Sequence, residues 1–243
     1  MSLVFRRNLG YTLLMPQHSA PSTQHSLTWD DIDDVLLDMD GTLLDRHFDN
    51  VLFEEALPQR YAERQALPVD QARRSLMAMY QSVEGQLEWT DLAYWSRRVG
   101  IDVVALHREL DYLIAFLPGA KEFLARLRQS GKRITILTNA HRAGVEIKAA
   151  KTGLDRYVDR IVDAFEVGYL KMHQNYWPQC QRLVGFDPSR SLYVDDDEKC
   201  LAAAGKFGVG RVYHRSKSSS QLPPDPSAQF TSIEDFSSLM SGL

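Results

Sequence analysis

One stretch near the start of the chain decides the fold: Asp34-Val35-Leu36-Leu37-Asp38-Met39-Asp40-Gly41-Thr42-Leu43-Leu44. The apolar run within residues 34–39 predicts a buried strand, and Gly41-Thr42 predicts a turn directly after it. Asp38 and Asp40 stand where the chain leaves this strand, so both carboxylates can project into one site. Such a pair suits catalysis, because one carboxylate can attack phosphorus while the other transfers a proton.

The rest of the chain alternates between predicted strands and helices, with a helical interruption after the first strand. From about Phe48 to Leu113 the apolar residues recur at helical spacing in three segments: Phe53–Arg64, Val69–Glu84 and Asp91–Val99. After Pro118-Gly119 four further strands are predicted: Arg133–Leu137, Arg160–Ala164, Ser191–Val194 and Gly210–His214. Strands separated by single helices favour an α/β fold, a Rossmann-like, doubly wound parallel sheet.

Composition limits the classes of function. The 243 residues are 44% hydrophobic and 25% charged, which is typical of a globular protein. A net charge of -4 disfavours a nucleic-acid binder, and the apolar runs are too short to span a membrane. Two cysteines, Cys180 and Cys200, form neither a disulfide framework nor a zinc motif. We therefore expect a cytoplasmic protein with no nucleic-acid or membrane partner; the sequence does not indicate an oligomeric state.

Residues 1–28 are predicted to form a flexible N-terminal extension, because Gln17–Ser26 is polar. Arg6 and Arg7 precede an apolar stretch, as in a signal peptide. That stretch contains Tyr11 and Thr12 and no small-residue cleavage pattern, so the signal-peptide interpretation is disfavoured.

Three more polar segments follow predicted strands: Thr138-Asn139, Lys171 and Asp195-Asp196-Asp197. The carboxyl ends of parallel strands form the ligand-binding edge of such sheets. A hydroxyl and a backbone N–H can hold a phosphate oxygen, a lysine can neutralise it, and clustered carboxylates suit Mg²⁺. Each segment has an ordinary alternative: a turn or helix cap, a solvated lysine and an acidic helix N-terminus, respectively.

Taken in order, these segments resemble the four signature motifs of the haloacid dehalogenase superfamily, over about Val35 to His214. The resemblance implies that Asp38 attacks phosphorus and forms an aspartyl-phosphate, while Asp40 serves as general acid and then base. It implies phosphate binding by Thr138, Asn139 and Lys171. It also implies a Mg²⁺ cofactor held by a further set of groups: Asp38, the carbonyl of Asp40, and Asp196 or Asp195.

The same resemblance implies a domain division. Residues 48–116 would form an inserted all-helical C1 cap domain, and residues 29–47 and 117–243 would form the α/β core. Three departures from the family pattern concern the loops: no proline adjoins Lys171, Pro178 falls within an expected helix, and Asp197 replaces a frequent serine.

Within the superfamily the chain resembles the bacterial GMP/IMP nucleotidase branch, through stretches that include residues 29–33, 48–50, 87–96 and 137–141. This implies a phosphatase acting on a small phosphate monoester, a purine nucleoside 5′-monophosphate. Trp89, Tyr94 and Trp95 could stack on the base, although aromatic residues at helical spacing more often pack a core. A phosphosugar phosphatase, a β-phosphoglucomutase-like transferase and a catalytically silent metabolite-binding regulator remain alternatives, while Asp40 counts against a dehalogenase.

Three histidines complete the expectations. His141 follows the second motif, where it could contact substrate or cap the next helix. His173 and His214 are interpreted as surface or loop residues.

Overall fold

The computed structural model describes residues 28–243, so the predictions for residues 1–27 lie outside the described part of the chain. Within residues 28–243, six strands form one sheet: β1 (Asp34–Leu37), β2 (Arg133–Thr138), β3 (Arg160–Asp163), β4 (Ser191–Asp195), β5 (Arg211–Arg215) and β6 (Ser232–Ile233). The order is β3-β2-β1-β4-β5-β6, and every neighbouring pair is parallel. The chain winds outward from β1 in both directions, which confirms the predicted doubly wound α/β sheet.

The described part of the chain also contains ten α-helices: α1 (His47–Asn50), α2 (Leu57–Gln65), α3 (Val69–Ser82), α4 (Leu92–Val99), α5 (Val103–Glu109), α6 (Ala120–Gln129), α7 (Arg142–Thr152), α8 (Ala164–Val167), α9 (Tyr176–Val184) and α10 (Glu198–Phe207). A π-helical segment, Val51–Ala56, joins α1 to α2. Pro178 lies in the first turn of α9, where the missing N–H breaks no intrahelical bond.

Register brings the polar segments to one edge of the sheet. All four residues of β1 are buried, and Leu37 lies level with Ile136 of β2 and Val194 of β4. The chain therefore leaves β1, β2 and β4 at the same edge. Asp38 lies at this edge, and its backbone N–H donates to the Val194 carbonyl at 2.9 Å.

The segment between β1 and α6 is helical, as predicted. Asp91 caps α4 by accepting hydrogen bonds from two backbone N–H groups, and Gly100 ends that helix in a left-handed conformation. These helices, which we call the helical block (residues 47–113), share one hydrophobic core with the sheet. The division into a cap domain and a core domain remains a prediction.

The C-terminal segment packs into the same hydrophobic core. β6 has only two residues, too short for a detectable alternating pattern, and it was not predicted. Phe236 stacks on Phe123 of α6, and Trp29 Nε1 donates to the Leu239 carbonyl at 2.9 Å. Among residues 28–243, none of the helices has the length and apolar character needed to cross a membrane.

Part of the loop after β5 is buried rather than on the surface. Ser216 and Ser219 are buried. The Ser218 carbonyl accepts from the Arg46 backbone N–H at 3.1 Å, and the Ser220 backbone N–H donates to Asp45 at 3.0 Å. The loop thus fixes the segment between the turn at Gly41 and α1.

Candidate active site

Asp38 is buried at the carboxyl end of β1 and is held from one side. Lys171 Nζ donates to its Oδ1 at 2.5 Å, and its Oδ2 is buried without a hydrogen-bond partner among the described residues. Burial raises the pKa of Asp38 to about 7, against the opposing effect of Lys171. The carboxylate therefore keeps one oxygen free for chemistry while its other oxygen is fixed.

Asp40 has a different cation. Lys148 Nζ lies 2.7 Å from Asp40 Oδ1, and the two groups form an ion pair. Lys148 also donates to both carboxylate oxygens of Asp49 at 2.9 Å. Burial and the nearby Asp49 raise the pKa of Asp40, and Lys148 opposes them. Asp40 Oδ2 is buried and has no hydrogen-bond partner among the described residues. A carboxyl group that is easily protonated suits a general acid.

The turn between these acids and the helical block requires glycine. Gly41 has a φ of +89°, and a Cβ atom there would lie 2.4 Å from Asp196 Oδ2. The chain can thus approach the acidic cluster closely only because residue 41 has no side chain. Thr42 follows, and its buried hydroxyl has no hydrogen-bond partner in residues 28–243.

Thr138 and Asn139 lie at the end of β2, both buried. The Thr138 hydroxyl accepts from the Ala140 backbone N–H at 3.0 Å. The Asn139 side-chain oxygen accepts from the Lys171 backbone N–H at 2.8 Å. The Asn139 side chain therefore positions the loop that carries Lys171, a task that the sequence did not reveal.

Lys171 joins two of the predicted motifs. Its side chain is only 2% exposed, and Nζ donates to Asp38 and, at 2.7 Å, to Asp195 Oδ2. Burial disfavours the charged form, but Asp195 and Asp38 outweigh burial and raise the pKa of Lys171. The Trp177 indole donates to the Lys171 carbonyl at 3.1 Å, which anchors the loop despite the absence of an adjoining proline.

Three carboxylates form a cluster that can hold a divalent cation. Asp38, Asp195 and Asp196 each place an oxygen within 4.8 Å of the others. Asp195 already accepts three hydrogen bonds, from Lys171, from the Tyr193 hydroxyl and from the Asp197 backbone N–H. Clustered carboxylate oxygens are the hard ligands that Mg²⁺ prefers, so a divalent cation fits this set. Asp197 instead caps α10.

Several residues of the site were not predicted from the sequence. Arg46 forms an ion pair with Asp196, and Lys148 links Asp40 to Asp49. A signal for Lys148 existed: it continues the buried face that α7 forms with Gly144 and Val145. A lysine at such an apolar position usually has a buried acidic partner.

The histidines differ in part from expectation. His141 caps α7 by accepting from the Ala143 N–H at 3.2 Å, and it also lines a narrow cavity beside Asp40. His214 was wrongly interpreted as a surface residue: it is buried on β5, with Nε2 3.2 Å from the Asp196 carbonyl oxygen. His173 is half-buried and stacks on Tyr169.

The aromatic residues of the helical block mostly pack the core. Trp95 is fully buried, with edge contacts to Tyr80 and Tyr94. Its indole N–H donates to the Trp89 carbonyl at 2.8 Å. Trp95 therefore offers no free face to a base, whereas Trp89 and Tyr94 are only partly buried.

The chain is similar to proteins of one known family. The family model for haloacid dehalogenase-like hydrolases matches residues 32–208. The chain is 32% identical over 218 residues to the GMP/IMP nucleotidase YrfG of Escherichia coli (strain K12), covering 90% of this chain and 98% of the relative. It is 30% identical over 183 residues to a plasmid-encoded phosphoglycolate phosphatase of Cupriavidus necator, covering 72% and 77%.

The fold agrees with that assignment. A crystal structure of an HAD phosphatase from Thermococcus onnurineus superposes with a TM-score of 0.72 at 20% sequence identity, covering 86% of this chain and 97% of that chain. The four predicted motifs meet at one edge of the sheet, within the residues that the family model matches. The chain is thus a member of the haloacid dehalogenase-like hydrolase family.

Proposed function

We propose that the protein is a Mg²⁺-dependent phosphatase that hydrolyses a purine nucleoside 5′-monophosphate, GMP or IMP, through an aspartyl-phosphate on Asp38. One observation carries the proposal: a buried carboxylate with one free oxygen, fixed by Lys171, two residues before a second buried carboxylate. Both cysteines are buried free thiols, in keeping with a reducing cytoplasm.

In the proposed mechanism Asp38 Oδ2 attacks phosphorus, and the bond between phosphorus and the leaving oxygen breaks. Asp40 donates its proton to that oxygen. Asp40 then accepts a proton from water, whose oxygen attacks phosphorus and releases phosphate from Asp38. Lys171 and Thr138, with the backbone N–H of Asn139, would bind the phosphoryl oxygens.

The acidic cluster supports the metal in this proposal. We assign direct coordination to Asp38 and Asp196 with the carbonyl of Asp40, and a positioning role to Asp195, whose oxygens already accept three hydrogen bonds. Mg²⁺ bound there would supply positive charge that offsets the charge on the phosphoryl group.

The substrate class rests on the E. coli relative and on the surroundings of Asp40. The cavity beside Asp40 is lined by Lys148 and His141 of the core and by Asp49, Thr90 and Leu92 of the helical block. These groups would face the alcohol portion of the ester. The choice of a nucleoside as that alcohol rests on the similarity to the E. coli nucleotidase.

The test is phosphate release from GMP, IMP, AMP, pyrimidine nucleotides, sugar phosphates and phosphoglycolate, with Mg²⁺ and with EDTA. We expect GMP and IMP to be preferred and EDTA to abolish release. Asp38→Asn should abolish turnover while the circular dichroism spectrum is unchanged. Preference for another ester would overturn the nucleotide assignment alone. Absence of release from every ester would favour a transferase or a silent regulator, and activity in Asp38→Asn would exclude the nucleophile.

A further inference from the structure

Arg46 places a cation directly on the acidic cluster. It follows the turn at Gly41, and its guanidinium Nη1 donates to Asp196 Oδ2. The Arg46 and Asp196 side chains are 11% and 3% exposed. The Arg46 backbone is held by the Ser218 carbonyl, so the guanidinium reaches Asp196 from a fixed position.

The charges of the cluster are nearly balanced by side chains alone. Asp38, Asp195 and Asp196 carry three negative charges when ionised. Lys171 is paired with the first two carboxylates and Arg46 with the third. With three negative and two positive charges, the net charge is one negative, against two negative without Arg46.

We propose that Arg46 is a built-in counter-cation that competes with the divalent metal for Asp196 and thereby weakens metal binding. The inference rests on the metal site in the proposed function. A guanidinium stays charged at every physiological pH, and its N–H groups match a carboxylate, so Arg46 can hold Asp196 whenever the metal leaves. The metal in turn must displace the guanidinium or share Asp196 with it. Arg46 thus makes the metal exchangeable and reduces the negative charge of the metal-free site.

The direct test is Mn²⁺ binding to the full chain, measured by electron paramagnetic resonance of the free ion and by calorimetry. Arg46→Gln should bind Mn²⁺ roughly tenfold more tightly than the wild type, because one nearby positive charge is removed. Arg46→Lys keeps the charge and should stay within about threefold of the wild type on the same argument. Arg190→Gln is the matched control. Arg190 pairs with exposed Asp33, and these two residues directly precede the first residues of β4 and β1, away from the edge that carries the acidic cluster.

Thermal unfolding gives a second measurement that does not depend on activity. Arg46→Gln should melt below the wild type in EDTA, because Asp196 loses its partner, and should gain more than the wild type from added Mg²⁺. Unchanged or weaker Mn²⁺ binding in a folded Arg46→Gln would overturn the role of Arg46 and leave the metal site intact. Failure of both the wild type and Arg46→Gln to bind Mn²⁺ would overturn the metal site and, with it, this inference.

Discussion

Asp38 and Asp40 lie two residues apart, yet each has a different cation. Lys171 fixes one oxygen of Asp38, while Lys148 lies beside Asp40 and shares its charge with Asp49. Burial raises the pKa of both acids. The backbone turn that directly follows the two acids depends on Gly41, so the geometry of the site can be tested at that residue.

Gly41→Ala should reduce phosphatase activity by roughly a hundredfold or more, because its Cβ would lie 2.4 Å from Asp196 Oδ2. It should also lower the free energy of unfolding by about 1–3 kcal/mol, since alanine is strained at a φ of +89°. Gly131→Ala is the control: it has a φ of +71°, with no described atom within 4 Å of the added Cβ. Steady-state kinetics measures the activity, and urea unfolding measures the free energy of unfolding. Similar activity losses in both variants would contradict the proposed clash.

At the scale of elements, α7 connects the sheet to the helical block. Lys148 on this helix bonds to Asp49 of α1, and its Nζ lies 5.0 Å from the centre of the Phe48 ring. One turn further on, Lys151 pairs with Asp111 of the helical block at 3.1 Å. The two lysines thus make the same kind of contact, one buried and one partly exposed.

Lys148→Met should lower the free energy of unfolding by about 3–5 kcal/mol, because it leaves Asp49 and Asp40 buried without their cation. Lys151→Met should cost less than about 1 kcal/mol, since water screens its pair. Urea unfolding of both variants measures the difference. Equal costs would show that burial of the Asp49–Lys148 pair contributes nothing to stability.

For the whole molecule, one buried histidine links stability to pH. His107 packs between Phe48 and Phe53 and bonds through Nδ1 to the Val103 carbonyl at 2.9 Å. Burial lowers the pKa of His107 from 6.5 to about 4, assisted by the charge of Lys148. Below 6.5 the unfolded chain binds a proton that the folded chain excludes. The stability associated with neutral His107 is therefore complete above pH 6.5 and is lost as the pH falls toward 4.

The free energy of unfolding should thus fall by on the order of 3 kcal/mol between pH 6.5 and pH 4 because of His107. His107→Gln cannot titrate and should lack this part of the acid sensitivity. Urea unfolding at several pH values, compared as the difference between the two proteins, isolates the contribution. An unchanged difference across this range would refute the assignment.

Much of the fold was predictable, because it depends on local pattern. The five strands predicted from apolar runs begin and end within two residues of β1, β2, β3, β4 and β5. β6 was not predicted, because two residues are too few to show the alternation of apolar and polar residues that indicates a strand. It forms by pairing with β5. His214 was misjudged because its neighbours, Asp196 and Ser232, are distant in sequence.

By itself the sequence determined the family, a parallel sheet and the acids at its edge, because these follow from local periodicity and short motifs. Only the tertiary structure decided which cation each acid receives. Lys148 and Arg46 lie 99 and 150 positions from Asp49 and Asp196, respectively. Such pairings depend on how α7, the helical block and the loop after β5 pack together, and no local pattern encodes that packing.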